Sequence, residues 1–285
     1  KKTTQWKDAD YKKWHARCME VYAAQIDRMD QGIGKIIKTL EEAGELDNTL
    51  IIFLSDNGAD KAELYLGFNH LIVPDSTLNG NKIRGGNYHD LMPGPDSTYQ
   101  SAGRNWANVS NTPFRHYKIN TYEGGTSTPF IVHWPKGIKE KGTHRKQMAH
   151  IIDIMPTFIE LSGAKYPENR DEAKVIPFEG KSLVPTFTDN ALERKYLAWE
   201  HLSNRGIIMG EWKLVSYSKD LKRYNEDGMM KFKALSSDKP WELYNLKKDR
   251  TEIYNVADRY PEKVKIMMSQ WEIWAARIQV KPWPY

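Results

Sequence analysis

TLIIFLSDNG, residues Thr49 to Gly58, is the stretch whose reading decides the fold. Its first six residues are apolar or β-branched and too few for a stable helix, so they read as a buried strand. The strand runs straight into Ser55-Asp56-Asn57-Gly58, a polar turn. In α/β proteins, ligand sites gather at such strand ends. Upstream, Tyr22, Ile26, Met29, Ile33, Ile36 and Leu40 recur at three- and four-residue steps, the mark of a long amphipathic helix, and Gly44 is a natural stop.

Downstream, residues 60–116 are rich in Gly, Asn, Pro and Ser, and a loop of that length usually serves function. Pro129 to His133 reads as a second buried strand ending at Trp134-Pro135. Ile154 to Leu161 reads as a helix, with Pro156 in its first turn and Gly163 closing it. Beyond about residue 190 the pattern changes. KYLAWEH, RGIIMG, EWKLVSY and WELYNL alternate and are separated by turn residues, which predicts an antiparallel sheet. A last helix follows Pro261, with Val264, Met267, Trp271, Trp274 and Ile278 on its buried face. The fold class is therefore α/β: part of a mixed sheet flanked by helices over residues 1–165, then a small α+β subdomain over residues 166–285.

Composition narrows the class of function. The 285 residues are 40% hydrophobic and 28% charged, which fits a folded globular protein rather than a disordered one. The net charge of +5 mildly suits an anionic substrate. Lys and Arg form no run of five and no aromatic-interleaved basic patch, so no nucleic-acid partner is expected. No run of 18 apolar residues suggests a membrane span. Cys18 is the sole cysteine, which excludes an intrachain disulfide and a CxxC pair. It is expected to pack on the first helix. The opening KKTTQWKDAD lacks Met and reads as an internal start, with any export signal lying elsewhere.

The chemistry-bearing residues fall in two segments. Asp56 offers a carboxylate and Asn57 an amide oxygen, both hard donors suited to Ca²⁺ or Mg²⁺, although Asp-Asn-Gly is by itself also an ordinary turn. The second segment is KINTYEGGTSTPFIVHWP, residues 118–135. Lys118 is a point cation that can meet an anionic oxygen, and Gly124 and Gly125 permit close backbone approach next to the acid Glu123.

Together these segments resemble the type I, arylsulfatase-like sulfatases of the alkaline-phosphatase superfamily. The resemblance rests on YAA-x-x-x-x-MD-x-x-I-G from Tyr22 to Gly34, the strand leading to SDNG, and K-x-x-x-Y-EGG-x-x-x-P-x-I-V-x-WP from Lys118 to Pro135. GRNWANVSNTPFR (Gly103 to Arg115), GEWKLV (Gly210 to Val215) and WELYNLKKDRTEIYNVA (Trp241 to Ala257) agree in the same order. The resemblance implies hydrolysis of sulfate esters on a sulfated small molecule or carbohydrate, by a hydrated formylglycine held by a divalent metal, usually Ca²⁺. It implies Asp56 and Asn57 as metal ligands, Lys118 as the contact to the sulfate and leaving oxygen, and Glu123, Gly124 and Gly125 as shapers of the loop. It also implies a periplasmic, secreted or lysosomal setting.

The departures matter as much. The family's nucleophile lies in C/S-x-P-x-R, and no such match occurs. Cys18 is followed by Met19 and Glu20, Ser127-Thr128-Pro129 has Ile131 where Arg belongs, and Asn111 precedes the right Pro and Arg but cannot become the aldehyde. Two ligands do not complete a calcium site of six to eight oxygens. The expectation is a C-terminal piece that is inactive alone, exposes apolar surface around TLIIFL, and is completed by a missing N-terminal half. His70, Arg84, His89 and Arg104 are candidate substrate contacts in the long loop and its continuation, whereas His133 reads as structural. Two rivals stay open: a phosphate or phosphonate ester hydrolase of the same superfamily, and a non-catalytic glycan-binding homologue.

Overall fold

The structure is a computed structural model that describes residues 4–63, 73–217, 221–226, 229–234 and 240–281. The chain divides into two compact units: Lys1–Gly32 with Asn57–Thr128 and Tyr196–Tyr285, and Ile33–Asp56 with Pro129–Lys195. A long helix, α1 (Lys12–Glu42), contributes to both. Gly44 follows it with φ +70°, a conformation that glycine adopts without steric cost.

In the second unit, β1 (Ile51–Leu54) pairs antiparallel with β2 (Phe130–His133), Ile52 lying opposite Val132. The ladder continues one step past β1, where the Ser55 amide donates to the Pro129 carbonyl. These strands are not buried as the apolar run alone suggests, in keeping with the expectation of exposed apolar surface around TLIIFL. Phe53, Phe130 and Ile131 are 38%, 39% and 58% exposed, because no layer covers them among the described residues. The helix α4 (Ile154–Ser162) ends at Gly163 with φ +67°, as its composition predicted. Asp153 anchors its start. This fully buried carboxylate accepts from the His150 and Lys181 amides and pairs with Arg194 at 2.5 Å.

In the first unit, the C-terminal sheet has strand order β8-β5-β4-β3, all antiparallel: β3 (Leu197–His201), β4 (Asn204–Met209), β5 (Trp212–Ser216) and β8 (Glu242–Asn245). Between β5 and β8 lies a separate hairpin, β6 (Leu221–Glu226) with β7 (Met229–Ala234). Strand alternation gives the four-stranded sheet two working faces. One carries Ile207, Leu214 and Leu243 onto Met267, Trp271 and Ala275 of helix α5 (Pro261–Arg277). Burial of these six side chains is the main hydrophobic contribution in this part. The other face carries Val215 and Tyr244 against Tyr122.

Three differences from the sequence reading have physical causes. Gly103–Ser110, inside the stretch read as loop, forms helix α2, held by Trp106 Nε1 donating to the His15 carbonyl. Eight residues were too few for periodicity to register. On α1 only Trp14 and Cys18 are buried, while Tyr22, Ile26, Met29 and Ile36 of the expected core stripe stay exposed. Ile278 lies past the end of α5 and is exposed rather than buried. Cys18 is buried as expected, and burial raises its thiol to about 11, so it is inert. Among the described residues no helix is long and apolar enough to cross a membrane.

Candidate active site

The turn after β1 meets the lysine segment through backbone. The Gly58 amide donates to the Gly125 carbonyl at 3.1 Å, and the Lys118 amide donates to the Ala59 carbonyl at 3.0 Å. Asn111 clamps the same junction: its Oδ1 accepts from the Ala59 amide and its Nδ2 donates to the His116 carbonyl. The contact is too close for side chains. A Cβ on Gly58 would lie 1.8 Å from the Gly124 carbonyl oxygen, and one on Gly124 would lie 2.3 Å from two carbonyl oxygens. Glycine is required here by space, not by dihedral freedom.

Glu123 opens a one-turn helix, α3 (Glu123–Thr126), and is buried. Its carboxylate accepts from Lys213 Nζ at 2.8 Å and from Arg250 Nε at 3.0 Å. Lys213, fully buried on β5, also forms an ion pair with Glu252 Oε1 at 2.9 Å and donates to Thr126 Oγ1 at 3.4 Å. Glu252 Oε2 accepts from the Glu123 amide at 2.6 Å. Burial works to raise the Glu123 carboxyl, but the cations Lys213 and Arg250 outweigh it and hold it below the usual range. For Glu252 burial prevails over Lys213, and its carboxyl sits above the usual range.

Lys118 itself is 41% exposed, with Nζ 3.6 Å from an oxygen of Asp60, whose side chain is 50% exposed. Such a surface pair contributes less than about 1 kcal/mol, so Lys118 is free to exchange Asp60 for a stronger anion. Ile119, next to it, has φ +81°, which a β-branched residue adopts only when its surroundings force it. Its carbonyl accepts from buried Asn204 of β4. His116 also has a positive φ of +67°. Its ring stacks on Tyr122 at 4.6 Å, and burial followed by the Arg115 charge lowers its pKa to about 4. Tyr122 and Tyr244 both donate to Glu242 Oε2 at 2.6 Å, and burial pushes both phenols well above their usual range.

Asn57 sits beside this junction, donating its Nδ2 to the Gly58 carbonyl, and Asp56, exposed, directly precedes it. One carboxylate and one amide oxygen fit a hard divalent cation as two of its six to eight donors. Among the described residues no group of three His, Cys, Asp or Glu side chains could hold a metal. The other candidates make contacts of their own. Arg84 pairs with Asp90 at 3.1 Å. His89 stacks on Tyr11 at 3.8 Å and meets Trp14 edge-on. Arg104 has a buried Nε without a hydrogen-bond partner among the described residues. His70 lies outside the described residues. Sequence reasoning missed Asp60, Asn111, Asn204, Lys213 and Glu252. Lys213 alone carried a signal, as a lysine inside an otherwise apolar strand.

Comparison with known proteins identifies the family. A family model described as "Sulfatase" matches residues 1–164, and one described as "N-sulphoglucosamine sulphohydrolase, C-terminal" matches residues 115–276. The chain belongs to the sulfatase family. An uncharacterized sulfatase of Schizosaccharomyces pombe is 29% identical over 98% of this chain and 47% of its own length. An arylsulfatase of Klebsiella aerogenes is 35% identical over 61% of the chain and 36% of its own length. An N-acetylgalactosamine-6-O-sulfatase of Bacteroides thetaiotaomicron is 28% identical over 84% and 38%. The chain thus spans less than half the length of each of these sulfatases. The fold agrees with solved members. A Pseudoalteromonas sulfatase matches with a TM-score of 0.53 at 18% identity, covering 88% of this chain and 42% of its own. A protein solved in complex with its substrate D-glucosamine-2-N,6-O-disulfate matches with 0.53 at 21%, covering 92% and 41%.

Proposed function

We propose that this chain supplies the leaving-group side and part of the metal site of a sulfuric ester hydrolase acting on sulfated carbohydrates. The observation that carries the reading is the backbone junction at Gly58–Gly125 and Lys118–Ala59, which sets the lysine loop against the turn that follows the strand. Sulfatase relatives support the reaction class, and those named for N-acetylgalactosamine and N-acetylglucosamine sulfates support the substrate class. The division at residue 165 into a catalytic α/β part and a C-terminal subdomain belongs to the same reading.

Cleaving a sulfate ester builds negative charge on the bridging oxygen. Lys118 is placed to stabilise it with a mobile ammonium that a weak surface pair does not hold back. Asp56 and Asn57 would hold Ca²⁺ or Mg²⁺, which when bound supplies positive charge to the sulfate oxygens. The chain has no C/S-x-P-x-R motif, so the nucleophile is assigned to none of its residues.

The test is sulfate release by the full-length enzyme, wild type against Lys118→Ala. Loss of one transition-state contact should lower kcat on the order of 10²-fold, more for an alkyl sulfate than for an activated aryl sulfate. A near-normal rate on both substrates removes Lys118 from the reaction.

A further inference from the structure

We infer that Lys213 and Glu252, on the C-terminal sheet and the loop after it, are positioning residues for Lys118, acting through the Glu123–Gly125 turn. The inference rests on the sulfatase reading of Lys118. Neither residue approaches Lys118 directly. Glu252 takes the Glu123 amide and Lys213 takes the Glu123 carboxylate, so the turn is gripped at backbone and side chain by an ion cluster whose Lys213 and Glu252 are fully buried. The gripped turn presents the Gly125 carbonyl to Gly58, and Gly58 is bonded to Ala59, whose carbonyl receives the Lys118 amide.

Two further links run the same way. Arg115 Nη1 donates to the Glu252 carbonyl while the Arg115 carbonyl accepts from Gly124, which closes a ring around the turn. Asn204 of the same sheet donates to the carbonyl of Ile119, which lies one residue from Lys118 and has φ +81°. A hydrophobic contact would have sufficed to pack sheet against turn. Two carboxylates and two cations with fixed hydrogen-bond geometry instead define where the turn sits, a precision that matters for a lysine serving a transition state.

The experiment is a double-mutant cycle in the full-length enzyme. Glu252→Gln is made with and without Lys118→Ala, and kcat and KM are read on an alkyl and an activated aryl sulfate. The expected result is a 10- to 10²-fold fall in kcat on the alkyl sulfate, on the order of what a misplacement near 1 Å produces. KM should stay within about 2-fold, and in the Lys118→Ala background the same substitution should cost less than about 2-fold. Arg250→Ala removes the exposed member of the cluster. It keeps the test decisive if Glu252→Gln fails to fold, and it should show the same non-additivity at about 3-fold. Equal losses in both backgrounds, or unchanged kcat in either folded variant, overturn the positioning role. Absence of sulfate release by the wild type instead sinks the functional reading beneath it.

Discussion

Replacing His116 by Phe should remove most of the acid sensitivity of the loop that carries Lys118. His116 titrates at about 4 against 6.5 for an ordinary imidazole, because burial and the adjacent Arg115 charge disfavour its protonated form. The Arg115 Nη2 lies 3.4 Å from its Nε2, so protonation would set two cations side by side. The sign follows from proton counts: between pH 6.5 and 4 the unfolded chain binds a proton that the folded one refuses. Stability contributed by the neutral ring is complete above pH 6.5 and is lost as pH falls toward 4, amounting to roughly 3 kcal/mol at full extent. Phe keeps the ring on Tyr122, 4.6 Å away, and removes the titration. Urea unfolding of wild type and His116→Phe, followed by Trp fluorescence from pH 7.5 to 4, should give a wild-type slope steeper by up to about 1.4 kcal/mol per pH unit. Parallel slopes would refute the assignment of a buried neutral imidazole.

Gly58→Ala should be among the most damaging single-methyl changes, since its Cβ would fall 1.8 Å from the Gly124 carbonyl oxygen. A lowered Tm together with a kcat loss exceeding 10-fold is expected, because the junction must open by more than an ångström, and a normal kcat would show that the turn is not needed. Asn111→Ala removes the partners of the Ala59 amide and the His116 carbonyl and should cost roughly 2–6 kcal/mol in denaturant unfolding, about 1–3 for each group left unpaired; a cost below about 0.5 kcal/mol would mean water replaces it.

Much of the fold was legible because the deciding signals are local. Gly44 and Gly163 end their helices in left-handed conformations, and the four alternating segments after residue 190 pair in a sheet that α5 covers. Burial was less legible. Apolar periodicity on α1 and in TLIIFL announces a surface that wants covering, but not whether the covering lies within the same 285 residues. Here Ile26, Met29, Phe53 and Ile131 remain exposed although their spacing is that of core residues.

The candidate site divides along the same line. Asp56, Asn57 and Lys118 could be named because each sits in a compact stretch whose residue types carry their chemistry on their face. What grips the turn beside Lys118 could not, because it is assembled across great sequence distance: Glu123 meets Lys213 90 positions on, and Glu252 129 positions from its amide. A lysine in the middle of an apolar strand is the one local trace of that network, since an unpaired ammonium at full burial would cost more than the strand's packing returns. Its place between Trp212 and Leu214 calls for acidic partners, which the sequence reading did not name. The most ordinary-looking part of the sequence, an alternating strand far from the motif, thus fixes the turn beside which Lys118 sits.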